Sequence, residues 1–256
     1  MFDVLRTRLS QKHRTMRYPQ EPPPELPERF AGRPTLAAGA CPQGCDRCAQ
    51  ACPTAALQIA PDGVHLDTGR CLFCRACEAA CPHSVIAFGR DHRLAAARRA
   101  DLILGPGAQP PAPARHARAA DLFGRSFKLR QVSAAGCNAC EADSNVLGTL
   151  AWDMGRFGIQ VVASPRHADG LLVTGPVSAN MRLALEKTYA AVPDPKVVIA
   201  VGACAVSGGC YAGHPEQSDG AAAVVPVDLF IPGCPPHPLT ILDGLLRFLG
   251  RVPDPE

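Results

Sequence analysis

The sequence lacks a long apolar run and a strong charge of either sign. No hydrophobic stretch reaches the ~18 residues that a membrane-spanning helix needs, so we expect a soluble or peripheral protein. Lys and Arg number 26 against 23 Asp and Glu, and the formal net charge of +3 is too small to argue for a nucleic-acid partner. No secretory signal opens the chain, so we do not expect a disulfide scaffold.

Two residue types are abundant instead. The 256 residues include 13 Cys and 26 Pro, and the prolines concentrate in residues 19–34 and 106–113. A hydrophobic share of 47% with 19% charged residues is typical of a globular protein that forms a core. At this length the chain can form one large domain or two modest domains.

Two cysteine runs carry the main prediction. Residues 41–53 read CPQGCDRCAQACP, and residues 71–82 read CLFCRACEAACP. In each run three closely spaced cysteines precede a Cys-Pro pair, which is the pattern of a protein with two cubane clusters whose fourth ligands are exchanged between the runs. We therefore predict two sets of [4Fe–4S] ligands. The first set is Cys41, Cys45, Cys48 and Cys81, and the second set is Cys71, Cys74, Cys77 and Cys52.

The first run departs from the expected spacing, because three residues rather than two separate Cys41 from Cys45. Gly44 lies in that gap and can relax the turn. Zinc is an alternative, although it prefers four ligands arranged as two separated pairs. A disulfide scaffold fits less well, since a chain of this length does not need covalent staples. Thiolates that bind metal require a reducing compartment, which favours the cytoplasm.

Residues 1–35 combine a basic helix with a proline-rich strap. Within residues 1–18, Phe2, Leu5 and Leu9 follow helical spacing among basic residues. Such a helix suits peripheral contact with a membrane or a membrane subunit, and a solvated terminal helix is the alternative. The prolines that follow exclude a helix or a central strand and predict an extended strap that leads into the cysteine runs.

Residues 36–104 contain an internal repeat. The segment between the cysteine runs predicts a β-hairpin that turns at residues 61–63, and SVIAFG after the second run predicts another strand. A strand, a cluster loop, a short helix and a strand therefore occur twice, with a period of about thirty residues. This region resembles the two-[4Fe–4S] ferredoxin family, which implies an α+β ferredoxin-like domain that carries electrons one at a time. Residues 105–125, rich in Ala, Arg and Pro, predict a linker.

Residues 126–256 alternate between strand and helix patterns. Predicted strands are SFKLRQVS, IQVVAS, DGLLVTG, KVVIAVG and VPVDLFI. Predicted helices are SANMRLALEKTYAAV, PLTILDGLLRFLG and residues 143–158, the last with Asp143 or Ser144 as its N-cap. This alternation predicts an α/β domain, flavodoxin-like, whose mostly parallel sheet is covered on both faces.

The remaining cysteines follow these predicted strands. Cys137 and Cys140 come after SFKLRQVS, Cys204 after KVVIAVG and Cys234 after VPVDLFI. Because the carboxyl ends of parallel strands share one rim, these four thiols should converge. We predict that they bind a third [4Fe–4S] cluster as the third set; zinc and unligated buried thiols are the alternatives. Cys210 is left over and reads as an unligated thiol, although it could replace Cys204 if its loop folds differently.

Four motifs between residues 125 and 250 carry a second resemblance. They are GCNACE, RFGIQVVASPRHADGLLVTGP, VIAVGACAVSGGCY and VDLFIPGCPPHP. Together they resemble the small electron-transfer subunit of membrane-bound [NiFe] hydrogenases and formate hydrogenlyase. That family is related to the subunit of respiratory complex I that holds its last cluster before quinone. The N-terminal region resembles the ferredoxin-like subunit of the same complexes. The chain therefore resembles a fusion of two subunits.

The resemblance implies a subunit that is not catalytic alone. Three [4Fe–4S] clusters would relay electrons to or from the NiFe site of a partner large subunit, in a complex on the inner face of the cell membrane. The complex I subunit has two adjacent cysteines at its first ligand position, whereas this chain has the spaced pair Cys137 and Cys140, which favours hydrogen or formate chemistry. Alternatives are a quinone-linked, complex I-like (NADH-quinone oxidoreductase) module and a stand-alone ferredoxin-type carrier.

A few further side chains are candidates without a firm role. Glu141 could belong to a proton path, or it could be a solvated or capping carboxylate. His237 stands where the resembled family often has Arg, so the role of that side chain is open. Arg156 and Arg166 could pair with a partner subunit or tune a cluster by charge, and structural ion pairs are the alternative.

Iron analysis tests the predicted ligand sets. A chain with three cubane clusters should contain about twelve iron atoms and a similar amount of acid-labile sulfide. Total iron and sulfide per purified chain would measure this, and about eight iron atoms per chain would rule out the third cluster.

Overall fold

The computed structural model describes residues 2–12, 14–39, 41–42, 44–108 and 116–252. Its helices are α1 Phe2–Gln11, α2 Arg47–Gln50, α3 Ala76–Ala80, α4 Ala117–Phe123, α5 Ala139–Val146, α6 Ala179–Ala191, α7 Ala203–Ser207 and α8 Pro238–Phe248. Its strands are β1 Pro34–Leu36, β2 Leu57–Ala60, β3 Gly63–Asp67, β4 Ile86–Phe88, β5 Ile103–Leu104, β6 Phe127–Ser133, β7 Ile159–Val161, β8 Gly170–Thr174, β9 Val197–Val201 and β10 Leu229–Ile231. Among the helices of this described part, none combines the length and apolar content that crossing a bilayer requires.

The C-terminal region forms the predicted parallel sheet. Five strands lie in the order β10-β9-β8-β6-β7, and every neighbouring pair is parallel. Leu172 of β8 lies opposite Ile199 of β9, and Val201 lies opposite both Thr174 and Ile231. The carboxyl ends of β6, β9 and β10 consequently share one edge of the sheet, where the loops with the last cysteines begin.

Both faces of this sheet are covered, as the continuous apolar strands predict. On β9, Val197, Ile199 and Val201 point into one core, and Val198 and Ala200 point into the other. Helix α8 closes the first face with side chains that are fully buried. Helices α6 and α7 contribute to the second face. In α8 only the last turn, at Arg247, reaches solvent, so the helix needs a long apolar stripe.

The N-terminal region contains two small antiparallel arrangements. Strand β1 pairs with β4, and β2, β3 and β5 form a three-stranded sheet in that order. The predicted hairpin is confirmed, because β2 and β3 pair in register from Leu57 opposite Leu66 to Ala60 opposite Gly63. Short helices α2 and α3 lie against each other and bring the two cysteine runs together. A separate small core, which includes several of the cysteines, fills this region.

The predicted helix at residues 143–158 is wrong in its bounds. Helix α5 begins at Ala139, directly after Asn138, whose left-handed φ of 71° turns the chain out of the preceding loop. Ser144 does not cap a helix, since its hydroxyl donates to the carbonyl of Cys140 at 2.7 Å, one turn earlier. The helix ends at Val146, and a turn before the short 3₁₀ helix Met154–Phe157 replaces its predicted second half. Turn hydrogen bonds at Gly148 and Thr149 take the place of the helical pattern.

The sequence pattern did not predict two of the helices, α4 and α7. Helix α4 lies within the predicted linker, and its Ala119 and Phe123 are buried against the sheet. Residues 109–115, which make up most of the predicted linker core at residues 105–115, lie outside the described residues. Helix α7 is only five residues long and follows a strand directly. Both helices are short and rich in alanine, so neither shows an apolar period that a sequence pattern could reveal.

The proline-rich strap crosses the C-terminal domain before it reaches β1. Tyr18 is buried, and its hydroxyl donates to the carboxylate of Asp243 in α8. Arg247 donates to both oxygens of the same carboxylate at 3.0 Å. The guanidinium of Arg156 donates to the carbonyl of Tyr18 at 2.8 Å. Burial next to Asp243 raises the pKa of Tyr18, so its hydroxyl remains a donor at neutral pH.

Tyr18→Phe should destabilise the chain. The substitution removes one donor from the buried Asp243, and a loss of this kind costs about 1–3 kcal/mol. A lower midpoint of thermal unfolding would measure it. Tyr211→Phe is the matched control, because the Tyr211 side chain is 51% exposed and its loss of a hydroxyl should change little. Equal midpoints for both variants would contradict the assigned role of the Tyr18 hydroxyl.

Candidate metal centres

The structure brings the four thiols of the third set together at the carboxyl edge of the parallel sheet. Burial raises the pKa of the Cys140 thiol, and the charges of Cys204, Cys234 and Cys137 raise it further. Burial, followed by Cys234, raises the pKa of Cys204 to about 11. Such mutual effects require that the thiols lie near one another. The loops after β6, β9 and β10 thus place these thiols near one another.

Glycines make room for this approach. A Cβ on Gly202 would lie 2.4 Å from the Sγ of Cys140, so only glycine fits beside that thiol. Gly202 also has a φ of 91°, which glycine adopts without strain. Gly233 has a φ of 143° and would place a Cβ 2.4 Å from the backbone of Pro236. The absence of a side chain at Gly202 and Gly233 therefore leaves the space that the close approach of these loops requires.

Cys210 lies near the third set as a fifth thiol. Its charge contributes to the raised pKa of both Cys204 and Cys234, after burial as the larger cause. Its backbone N–H also bonds to Cys204 and lowers the pKa of that thiol somewhat. The Cys210 side chain is exposed. The alternative in which Cys210 replaces Cys204 therefore concerns two thiols that are already neighbours.

In the first set, thiols from both cysteine runs lie near one another. Burial raises the pKa of Cys48, and the charges of Cys81 and Cys41 raise it further. Burial likewise raises the pKa of Cys41, and Cys45 and Cys81 add to the effect. Cys81, from the second run, thus lies among thiols of the first. Gly44, in the wider gap of the first run, has a φ of 77°, the left-handed conformation that relaxes that turn.

The second set shows the reciprocal exchange. Burial raises the pKa of Cys71 to about 12, with smaller effects from the charges of Cys77, Cys52 and Cys74. The pKa of Cys77 rises to about 11 for the same reasons. Cys52, from the first run, is thus a neighbour of the thiols of the second run. Four thiols from two runs lie around one centre in each case.

Backbone N–H groups point at several of these sulfurs. Ala56 N lies 3.3 Å from Cys52 Sγ, Phe73 N lies 3.2 Å from Cys71 Sγ, and Val85 N lies 3.4 Å from Cys81 Sγ. Phe73 and Arg75 have left-handed φ values of 55° and 63°, so the loop curls around its own thiols. Concave loops of this kind bind anionic groups, iron–sulfur centres among them. Hydrogen bonds to the sulfurs are also one of the means by which a protein sets a cluster potential.

The donor chemistry fits an iron–sulfur core. All ligands in the three sets are thiols, which as thiolates are the soft donors that iron–sulfur clusters take. In the part of the chain that the structure describes, no three His, Cys, Asp or Glu side chains meet at a point suited to one metal ion. A cubane presents four separate iron corners, so its thiolates stand around the core rather than around a single ion. The observed groups are compatible with that arrangement.

Glu141 and His237 have internal partners. Glu141 is buried, and its Oε1 accepts hydrogen bonds from Ser133 Oγ at 2.5 Å and Thr174 Oγ1 at 2.7 Å. Burial raises the pKa of this carboxyl, but the two hydrogen bonds outweigh burial and leave the pKa below its usual value. His237 caps α8, since its Nδ1 accepts from Leu239 N at 3.1 Å. Burial lowers the pKa of His237, so the neutral ring is favoured.

A small cavity separates the second and third sets, and the sequence offered no sign of it. It has a volume of about 240 Å³ and lies between Phe73 of the second cysteine run and the segment from Cys234 to His237. Thr240 also lines it, and its buried hydroxyl has no partner among the described residues. The cavity therefore lies between residues of the second cysteine run and the loop that contains Cys234.

Comparison with known families identifies the C-terminal region. The sequence profile described as NADH ubiquinone oxidoreductase, 20 Kd subunit, matches residues 137–248. A probable membrane-bound hydrogenase subunit of Pyrococcus furiosus is 40% identical over 138 residues, which cover 54% of this chain and 83% of that protein. The chain belongs to the family that this profile describes. Its matched residues contain every member of the third set.

Other members of this oxidoreductase family are similar over the same half of the chain. Formate hydrogenlyase subunit 7 of Escherichia coli is 44% identical over 130 residues, 50% of each protein. An NADH-quinone oxidoreductase subunit of Bacteroides thetaiotaomicron is 40% identical over 131 residues, 51% of this chain and 66% of that protein. A solved chain of the membrane-bound sulfane sulfur reductase, an archaeal respiratory membrane complex, is 31% identical, with 52% and 73% coverage and a TM-score of 0.46.

The N-terminal region matches a second family. The profile of the 4Fe-4S dicluster domain covers residues 33–85, a span that contains both cysteine runs. The chain thus combines a dicluster iron–sulfur region with a region of the oxidoreductase subunit family, as the two resemblances of its motifs predict. The resemblance of each part to its family is confirmed.

Substitution of single thiols near the third set separates ligands from neighbours. Cys204→Ser should lower the iron content by about four atoms per chain, because a cubane with three thiolates is easily lost. Cys210→Ser is the matched control and should leave about twelve. Iron and sulfide analysis of both purified variants would measure the difference. The reverse outcome would assign Cys210 as the ligand and Cys204 as the spare thiol.

Proposed function

We propose that this chain is an electron-transfer subunit with three [4Fe–4S] clusters, bound by the first, second and third sets. It relays electrons to or from the NiFe site of a partner large subunit in a membrane-associated hydrogenase or formate hydrogenlyase-like complex. The observation that supports the proposal is that the thiols of each set lie near one another, although they come from distant parts of the chain. When bound, such clusters supply one-electron redox chemistry, and the protein supplies ligation, burial and spacing.

The side chains and backbone of the chain support such a relay in three ways. Backbone N–H groups at Ala56, Phe73 and Val85 stabilise negative charge on the sulfurs that they contact. Burial of Cys71 and Cys140 keeps the neighbourhood of these sulfurs dry. Direct contact between the two regions allows electrons to pass within one polypeptide, without a separate carrier.

The proposal includes a division of the chain. Residues 1–35 form the basic helix and strap, and residues 36–104 form a ferredoxin-like domain with the first and second sets. Residues 105–125 link that domain to residues 126–256, a flavodoxin-like α/β domain with the third set. The pairing of β1 with β4 around α2 and α3 supports the ferredoxin-like assignment.

We also propose that the chain is cytoplasmic and peripheral to the inner face of the membrane, held there by partner subunits. Helix α1 supports a peripheral contact at residues 1–18. Phe2 and Leu9 are 85% and 79% exposed, and Arg6 and Lys12 lie on the same short helix or at its end. Exposed apolar groups among basic residues favour a membrane surface or a membrane subunit.

A quinone-linked module is the second candidate. It is favoured by the 40% identity with an NADH-quinone oxidoreductase subunit, which equals the identity with the hydrogenase relative. The spaced pair Cys137 and Cys140 supports the hydrogenase branch, because the resembled complex I subunit has adjacent cysteines there. A stand-alone carrier is the third candidate, and it would need no large subunit.

Purification of the chain with its partners distinguishes these candidates. We expect a stoichiometric large subunit that contains nickel, and hydrogen-dependent reduction of a redox dye by the complex. Metal analysis and a dye assay would measure both. Quinone-dependent oxidation without nickel would instead support the quinone-linked module, and a chain that purifies alone with its iron would support the carrier.

A further inference from the structure

Gly69 lies at a contact between the two cysteine-bearing regions. It precedes Cys71 of the second set by two positions, and its carbonyl oxygen accepts a hydrogen bond from Ser207 Oγ at 3.0 Å. Ser207 is the last residue of α7, and Cys204 of the third set lies in the same helix. The Ser207 hydroxyl also lies 3.1 Å from the carbonyl of Ala203. A single turn of α7 therefore connects Cys204 of the third set to the loop that contains Cys71 of the second set.

The contact at Gly69 has no room for a side chain. A Cβ there would lie 2.8 Å from Val206 Cγ1 and 2.9 Å from Arg99 Cζ. Val206 is 4% exposed and belongs to a core beside the sheet. The two terminal nitrogens of the Arg99 guanidinium donate to the carboxylate of Asp67, at 2.8 and 2.6 Å. Because the φ of Gly69 is not left-handed, the requirement at this position is for space rather than for a turn.

Both sides of the contact are held firmly. The N–H of Gly69 donates to Asp67 Oδ1 at 2.9 Å, and the hydroxyl of Thr68 donates to the carbonyl of Leu102 at 2.8 Å. Across the contact, Ala203 N donates to the carbonyl of Gly233 at 2.8 Å. Backbone hydrogen bonds therefore anchor both Gly69 and the start of α7.

We propose that Gly69 and Ser207 are positioning residues that set the separation between the second and third ligand sets. This inference rests on the proposed relay and adds the device that fixes its distance. Each transfer oxidises one cluster by one electron and reduces the other by one electron, and no proton or covalent bond changes place. The rate of electron tunnelling falls exponentially with distance. A contact without spare volume fixes this distance, so the rate constant is the same in every molecule.

The test uses the full chain with its clusters loaded and reduced by dithionite. The magnetic interaction between two reduced clusters falls with the cube of their separation, so low-temperature electron paramagnetic resonance reports their distance directly. Gly69→Ala should weaken or abolish the splitting that arises between the second and third sets, with iron content unchanged. Gly155→Ala is the matched control, since a Cβ there meets its nearest atom at an ordinary 3.7 Å. The control should retain the wild-type splitting.

A second variant covers the case in which Gly69→Ala does not load its clusters. Ser207→Ala removes the hydrogen bond to the Gly69 carbonyl without adding volume, and it should broaden or reduce the same splitting. An unchanged splitting in every fully loaded variant at these two positions would overturn the inference and leave the relay intact. A wild-type chain with only about eight iron atoms would instead overturn the relay itself, and the inference with it.

Discussion

The structure depends on one constraint: thiols from distant parts of the chain have to lie near one another. In the C-terminal region the parallel sheet satisfies this constraint, because its strands end at one edge and the loops that follow them begin at the same place. Two short helices meet it in the N-terminal region, where each run receives a thiol from the other. Gly202 beside Cys140 and the left-handed turn at Phe73 both allow the thiols to approach one another.

Burial of the thiols has an electrostatic side. With a pKa of about 12 for Cys71 and about 11 for Cys204, the neutral thiol is the stable form in the protein without metal. Four neighbouring thiolates would repel one another, and a metal core that replaces the protons removes this repulsion. Cluster binding at these thiols should therefore release protons. Glu141 complements this arrangement, since its charge is stabilised by two hydroxyl groups instead of a metal.

The sequence predicted the features that spacing and period control. The cysteine runs, the strand before each later cysteine and the hairpin at residues 61–63 all depend on local order, and each can be located without tertiary contacts. The start of α5 could not be predicted, because it depends on a left-handed residue, Asn138, inside a ligand loop. Helices α4 and α7 could not either, since burial against the sheet stabilises them rather than their own pattern.

Contacts between residues that are far apart in the chain also could not be predicted from the sequence. Arg156 could have paired with a partner subunit, yet its guanidinium is occupied by the carbonyl of Tyr18 and lies over the ring of Phe157. The contact of Ser207 with Gly69 joins positions that no local pattern connects. Neither residue type nor spacing distinguishes Gly69 from glycines that have open space around them, such as Gly39.

The backbone also crosses between the regions more than once. Ala96, after the dicluster region, exchanges two backbone hydrogen bonds with Phe230 and so extends the parallel sheet beyond β10. From the other end of the chain, Tyr18 reaches the C-terminal region through a side-chain hydrogen bond to Asp243 of α8. The covalent link at residues 105–115 is accordingly one tether among several. If the chain were cut there, the contacts of Ala96 with Phe230 and of Tyr18 with Asp243 would still connect the two regions.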